Sequence, residues 1–399
     1  MASPARQLKD VETTSPASIV VAKPVSETPV DNTLRTIAEQ SGKGYYDIIR
    51  EIVALGFGPG RISFRDYVKL RLFDDQYYAG CDKKTVVGQR RNRDISVAVN
   101  YRIDWYAMLE NKIASICYLG AFGLPVIPFE LVYGENLEFK TPRVARNASE
   151  LRAFLTDVRN FPLFGKPVEA FQSLGSIALR RCDAPSGQLQ RADGSTIALD
   201  DFITDITTNY ARGYLFQKLA SPHPVMRDLC GDRLATTRIV TIATETGPKV
   251  FRASLKIPAG TNSADNFWRT GNLLAQLDIA TGEIKRVITG AGIDLLQVTH
   301  HPDTGKALVG ATVPNWDRML ATALAGAKAM QHFSMIGWDV AALESGAVIV
   351  EMNETPDLSL HQIAEGRGVL EPEFLAFMEY QERQAKAHER RMRADISKL

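Results

Sequence analysis

The stretch Ile336–Asn353, IGWDVAALESGAVIVEMN, decides the fold. Two apolar runs flank Glu344-Ser345-Gly346, and a three-residue hairpin loop with glycine in the left-handed position fits that centre. Such a turn pairs Leu343 with Ala347, Ala341 with Ile349, and Asp339 with Glu351. Directly opposed Cβ atoms lie about 5 Å apart. Asn353 stands two residues beyond Glu351 and shares its face. Val340, Val348, Val350 and Met352 fall on the opposite face, where they can pack. Two opposed carboxylates in an apolar hairpin repel. A hard divalent cation resolves that conflict, and Mg²⁺ is usually held by one or two carboxylates plus phosphates. Asp339, Glu351 and Asn353 are therefore the candidate metal ligands. The competing reading turns one carboxylate to solvent, as a one-residue slip of register would do.

Basic residues upstream could meet phosphates. Glu245-Thr246-Gly247 reads as a turn joining LATTRIVTI to VFRASLKI. Arg252 and Lys256 then face the same way, and Arg238 joins them in one of two registers. Three cations on one sheet face call for an anion, for which a triphosphate is suited. The alternative is a solvated strand face paired with surface carboxylates. Lys112 lies in a mostly apolar helical stretch beside Asn111 and Glu110, and Lys166 follows a strand-like run and precedes Pro167. Phe171-Gln-Ser-Leu-Gly175-Ser176 forms a small-residue connection whose N–H groups could cover phosphates.

The rest of the chain sets the frame. Its 399 residues allow two or three lobes, and 45% apolar with 23% charged residues is ordinary for a globular protein. With a formal charge of +1 and only short local basic clusters, nothing suggests the concentrated basic surface of a nucleic-acid binder. Cys81, Cys117, Cys182 and Cys230 are scattered, which fits reduced thiols in a cytoplasmic protein. No run of 18 apolar residues suggests a membrane span. Residues 1–33 read as a disordered arm, 34–110 as a helical region and 369–399 as a C-terminal helix opening at Glu371-Pro372. Helices are expected over Phe64–Phe73 and over 102–122, and another opens at Asn147. Strand and turn signals fill 176–313, so the class is α+β. Neither a dinucleotide fingerprint nor a G-x-x-x-x-G-K-[ST] loop occurs.

Taken together, these segments resemble the ATP-grasp superfamily over roughly residues 64–366. The nearer resemblance is to its sugar-transfer-associated, alpha-L-glutamate-ligase-related branch. It is carried by LENKIASICYLGAFGLPVIP, FPLFGKPVEAFQSLGS, LDDFI, LATTRIVTI, SADNFWRTGNLLAQLDIATGEI and IGWDVAALESGAVIVEMNETPD. The resemblance implies two α+β lobes gripping ATP, one over 111–205 and one over 206–368. It makes Asp339, Glu351 and Asn353 the ligands of two Mg²⁺ ions and Lys112 and Lys166 the nucleotide-binding lysines. It places an adenine hinge at Asp200-Asp201-Phe202-Ile203. Many ligases of the superfamily carry an arginine two residues before the metal-binding aspartate; here that slot is Gly337. Arg238, Arg252 or Lys256 would then stabilise an acyl phosphate. Asp265, Asn266, His300 and His301 resemble acceptor-side segments, and His223 is a further substrate-side candidate. A small carboxylate, activated by ATP and captured by an amine, is the implied reaction, with a homodimer as the expected assembly. A phosphotransferase on the same scaffold and a non-catalytic nucleotide-binding module are the rival readings.

Overall fold

A computed structural model describes residues 30–135, 137, 143–169, 175–210, 212–262 and 264–396. The N-terminal arm and Phe171–Leu174 of the small-residue connection lie, but for the arm's last few residues, outside these. The chain is α+β, with a helical stretch preceding two seven-stranded sheets.

The first sheet contains β1 (Phe129–Tyr133), β2 (Arg143–Ala145), β3 (Leu163–Pro167), β4 (Ile177–Asp183), β5 (Gln188–Arg191), β6 (Thr196–Ala198) and β7 (Tyr214–Lys218). Its order is β2-β1-β7-β3-β4-β5-β6. Helices Ala148–Thr156 and Leu199–Asn209 bury Leu151, Phe154, Phe202 and Ile206 against Leu163, Leu179 and Phe216. Asn147 starts the first of these helices as expected, its side chain accepting from Glu150 N.

The second sheet contains β8 (Thr236–Thr244), β9 (Gly247–Ile257), β10 (Leu273–Leu277), β11 (Ile284–Thr289), β12 (Leu296–Val298), β13 (Met335–Leu343) and β14 (Gly346–Asn353). Its order is β12-β11-β10-β9-β8-β13-β14, antiparallel throughout. Alternation along β8, β9 and β13 sorts the side chains between two faces. Ile239, Ala253, Leu255, Trp338 and Val340 pack with Trp316, Met319 and Ala323 of helix Trp316–Ala329. Trp338 is wholly buried and approaches so closely that a Cβ on Gly326 would lie 2.6 Å from its ring. Its indole N–H donates to Thr241 Oγ1 at 2.8 Å, so the ring brings no unsatisfied donor into the core. The opposite face carries Arg238, Arg252, Ser254, Lys256 and Asp339, and helix Leu358–Glu365 lies against β9 and β10.

The chain divides into two compact units. One spans Glu130–Phe216; the other joins Pro24–Phe129 to Gln217–Leu399. The helical N-terminal stretch therefore clusters with the second sheet. Two expected helices are shorter than their patterns suggest. Phe64–Phe73 stops at Lys69, and 102–122 breaks at Asn111, whose side chain caps helix Lys112–Ala121 by accepting from Ile113 N and Ala114 N. The C-terminal helix, Pro372–Ile396, begins where expected. Among the described residues, no helix is long and apolar enough to cross a membrane.

Candidate functional site: the polar face of the second sheet

The hairpin forms, but by a different count. Leu343 pairs with Gly346 across a two-residue loop, Ala341 with Val348 and Val340 with Ile349. Gly346 has φ +134°, outside the left-handed helical position expected for a three-residue loop. Val350 is then an extra residue, and this bulge brings Asp339 back opposite Glu351 and Gly337 opposite Asn353. The shorter turn and the bulge cancel, so the expected carboxylate pair survives. The expected packing face does not survive intact. Ile349 joins Trp338, Val340 and Met352 in the core, and Val348 pairs with Ala341 on the Asp339 face.

Asp339 is 4% exposed and lies opposite Arg238 on β8. Arg238 Nε donates to its Oδ1 at 2.6 Å and Nη2 to its Oδ2 at 3.1 Å. Lys256 Nζ adds a third bond, 3.1 Å to Oδ2, and stands 3.4 Å from Asp265 Oδ1. Burial pushes the Asp339 carboxyl up, but Arg238 and Lys256 outweigh it and hold the group well below the usual carboxylate range. The like-charge conflict assigned to a metal is thus relieved by two buried cations. Asp265 also accepts from Thr236 N, at 3.0 Å, and from Thr236 Oγ1. Burial raises its carboxyl, opposed by Lys256 and reinforced by Asp339.

The register puts all three basic residues on one face, because Arg238 pairs with Ser254, between Arg252 and Lys256. Their charge is nevertheless met within the protein. Arg252 Nη2 reaches Glu371 Oε2 at 2.9 Å and Nε lies 3.3 Å from Glu365 Oε2, away from Asp339. The cations therefore do not need a triphosphate for neutrality, which corrects that expectation.

Glu351 is the more open carboxylate, with 37% of its side chain exposed and Lys112 Nζ 3.7 Å away. Glu354 follows nearby; burial raises its carboxyl, with Glu110 and Glu351 adding to the effect. The Asn353 side-chain nitrogen is buried without a hydrogen-bond partner. Amide nitrogen and oxygen exchange by a flip, so this orphan position can equally present an acceptor. Among the described residues, no group of three or more His, Cys, Asp or Glu side chains is arranged to hold a metal. The donor set of Asp339, Glu351 and Asn353 is still all oxygen, and Asp339 Oδ1 accepts only one of the three bonds to that carboxylate. The residues therefore fit a hard cation such as Mg²⁺, with Glu351 the more accessible donor.

His361, on helix Leu358–Glu365, was not singled out from sequence. It is fully buried, with Nδ1 2.8 Å from Ser254 Oγ and Nε2 without a partner. Burial, aided by Arg238 and Arg252, holds its pKa well below the usual histidine value, so the ring is neutral. The sequence signal is only a polar pair, His361-Gln362, between apolar Leu360 and Ile363; its meaning depends on that helix covering β9.

Other expected residues have local duties. His223 caps helix Pro224–Cys230, His301 is buried against Pro258 O, and His300 pairs with Thr299 at the surface. Asn266 shapes a turn by accepting from Trp268 N. The hinge expected at residues 200–203 is instead helical; Phe202 and Ile203 are core residues, and exposed Asp200 meets Arg152. Their backbone lies within helix Leu199–Asn209. Asp201 is exposed on the same helix. Lys166 is buried on β3, and Gly175, at φ +75°, accepts from Tyr214 Oη beside Ser176. These residues belong to the first-sheet unit.

Two β-sheet lobes, a helical N-terminal stretch and a hairpin that sets Asp339 and Glu351 beside the basic residues of the same sheet are the features of an ATP-grasp-like protein. The chain belongs to the sugar-transfer associated ATP-grasp family, whose model matches residues 92–374. Among solved structures, an ADP complex of purK, an N5-carboxyaminoimidazole ribonucleotide synthetase, is 14% identical (TM-score 0.37), covering 63% of this chain and 46% of its own. The D-alanine–D-alanine ligase from Coxiella burnetii is 12% identical (TM-score 0.42), with 73% and 62% covered. The Bacillus anthracis D-alanine–D-alanine ligase is also 12% identical (TM-score 0.40), with 71% and 70% covered. The chain thus spans 46% and 62% of the length of the first two. No curated protein matches.

Proposed function

We propose that the protein is an ATP- and Mg²⁺-dependent ligase that converts a carboxylate to an acyl phosphate and transfers the acyl group to an amine. The observation that supports this reading most is Arg238, held beside Asp339 and crossing the bare backbone of Gly337. A carboxylate oxygen attacks the γ-phosphorus of ATP and ADP leaves. The amine nitrogen then attacks the acyl carbon, a proton is lost from nitrogen, and phosphate departs with the bonding pair. Arg238, with Lys256, stabilises negative charge on the transferred phosphoryl and acyl oxygens. Arg252, tied to Glu365 and Glu371, supports the face from one side. Asp339, Glu351 and Asn353 would hold two Mg²⁺ ions, which supply charge neutralisation for the phosphates. Lys112, Lys166, Gly175 and Ser176 serve the nucleotide, and Asp265 the substrate side.

Hydroxylamine trapping tests this. The protein, ATP, Mg²⁺ and a panel of small acids should give an acyl hydroxamate, ADP and phosphate in equal amounts. A stable phosphorylated acid or alcohol would favour a phosphotransferase, and no ATP consumption across the panel would contradict both.

A further inference from the structure

We infer that Lys69 binds a second oxyanion, a carboxylate or a phosphate, on the substrate whose reacting carboxylate meets Arg238; the location of the reacting group rests on the ligase reading. Lys69 ends helix Phe64–Lys69, and its ammonium lies 3.5 Å from the centroid of the Trp268 ring. The indole N–H donates to Asp357 Oδ2 at 2.8 Å. The ring is thus fixed at its edge by a carboxylate and presents its face to the cation.

The carboxylates that would ordinarily pair with this lysine are engaged elsewhere. Asp357 Oδ1 accepts from Ser359 N, at 3.1 Å, and from Ser359 Oγ, opening helix Leu358–Glu365. Asp66 accepts from Ser63 N at 3.1 Å, Ser63 Oγ at 2.6 Å and Gln89 N at 3.1 Å. Among the described residues, Lys69 has its cation–π contact and no ion pair. Burial lowers its pKa; Asp357 and Asp66 oppose this electrostatically from a distance, and Arg65 one turn earlier adds repulsion. A half-buried ammonium with no carboxylate in direct contact is incompletely compensated, and an arriving oxyanion removes that cost.

The position is continuous with the sheet face. A Cβ on Gly337 would lie 2.9 Å from Pro356 Cβ and 3.0 Å from Arg238 Cδ. Pro356 leads directly into Asp357, which holds Trp268, which carries Lys69. Asp357 also acts electrostatically on Arg238. The substrate class is therefore an acid bearing two anionic groups.

Calorimetric titration of the full chain tests this without turnover, so absence of the trapping reaction leaves it standing. The probes are glutarate, 3-phosphonopropionate and butyrate. The wild type should bind at least one dianion at least about tenfold more tightly than butyrate, a difference of about 1.4 kcal/mol. Preference for glutarate assigns a carboxylate, and preference for the phosphonate assigns a phosphate. Lys69→Gln should erase the preference while Lys69→Arg retains most of it; Lys69→Met replaces the glutamine variant if that one melts low. Equal binding of all three probes by the wild type, or an unchanged preference in the neutral variants, would overturn the inference.

Discussion

Arg238 lies across Gly337: its Cδ is 3.0 Å from where a Cβ on that glycine would stand. A Cβ at 337 would press on the present path of Arg238 and, at 2.9 Å, on Pro356 Cβ. The glycine slot is thus the space through which a guanidinium from the neighbouring strand reaches Asp339. Gly337→Ala must push aside Arg238 or Pro356. It should destabilise the protein by about 1–3 kcal/mol, the usual cost of overpacking. Urea unfolding reads that loss, and the trapped hydroxamate rate should fall with it.

Asp339 anchors two buried cations. Asp339→Asn leaves Arg238 and Lys256 without their main counter-charge and should cost about 3–5 kcal/mol. Adding Arg238→Met should recover part of the loss in a double-mutant cycle. The sign with pH follows from a folded-state carboxyl held below its unfolded value. The stability it contributes is fully present above about pH 4 and is lost as pH falls toward the folded value. The asparagine variant should therefore show a shallower acid-unfolding slope below pH 4.

His361 should report in a different window. Its folded-state pKa is depressed, so between the unfolded value of about 6.5 and the folded one only the unfolded chain takes up the proton. Stability falls as pH drops below that value, by up to about 1.4 kcal/mol per pH unit. His361→Gln, compared with wild type by urea unfolding at pH 7, 6 and 5, should remove that component. Parallel curves would show that the ring titrates normally.

Glu351 separates function from stability. It is partly exposed and its nearest cation, Lys112, stands at 3.7 Å. Glu351→Gln should leave the melting temperature nearly unchanged, yet weaken Mg²⁺-dependent ATP binding by about tenfold or more, or 1.4 kcal/mol. Titration with and without Mg²⁺ distinguishes this from a general loss of nucleotide affinity.

The hairpin itself was legible because two apolar runs of period two flank a turn, whereas Asp339 stands opposite Glu351 only because the shorter loop and the bulge cancel. The compensating bulge at Val350 was not legible, because valine suits both a regular strand and a bulge. LDDFI matched the hinge pattern by residue type, but five residues carry too little periodicity to show that they open helix Leu199–Asn209. Alternation could place the cations on one face, but not Glu365 and Glu371 opposite Arg252, which depend on distant segments packing there. His361 and Lys69 were missed for the same reason: each acquires its meaning from a partner far away in sequence, Ser254 and Trp268.

The most direct test of carboxylate activation follows an oxygen atom. An acid that gives a hydroxamate is labelled with ¹⁸O in its carboxylate and incubated with ATP, Mg²⁺, an amine and the protein. The account predicts that one labelled oxygen appears in the released phosphate, because the carboxylate attacks the γ-phosphorus and its oxygen leaves with phosphate. Unlabelled phosphate, with product formation intact, would contradict it.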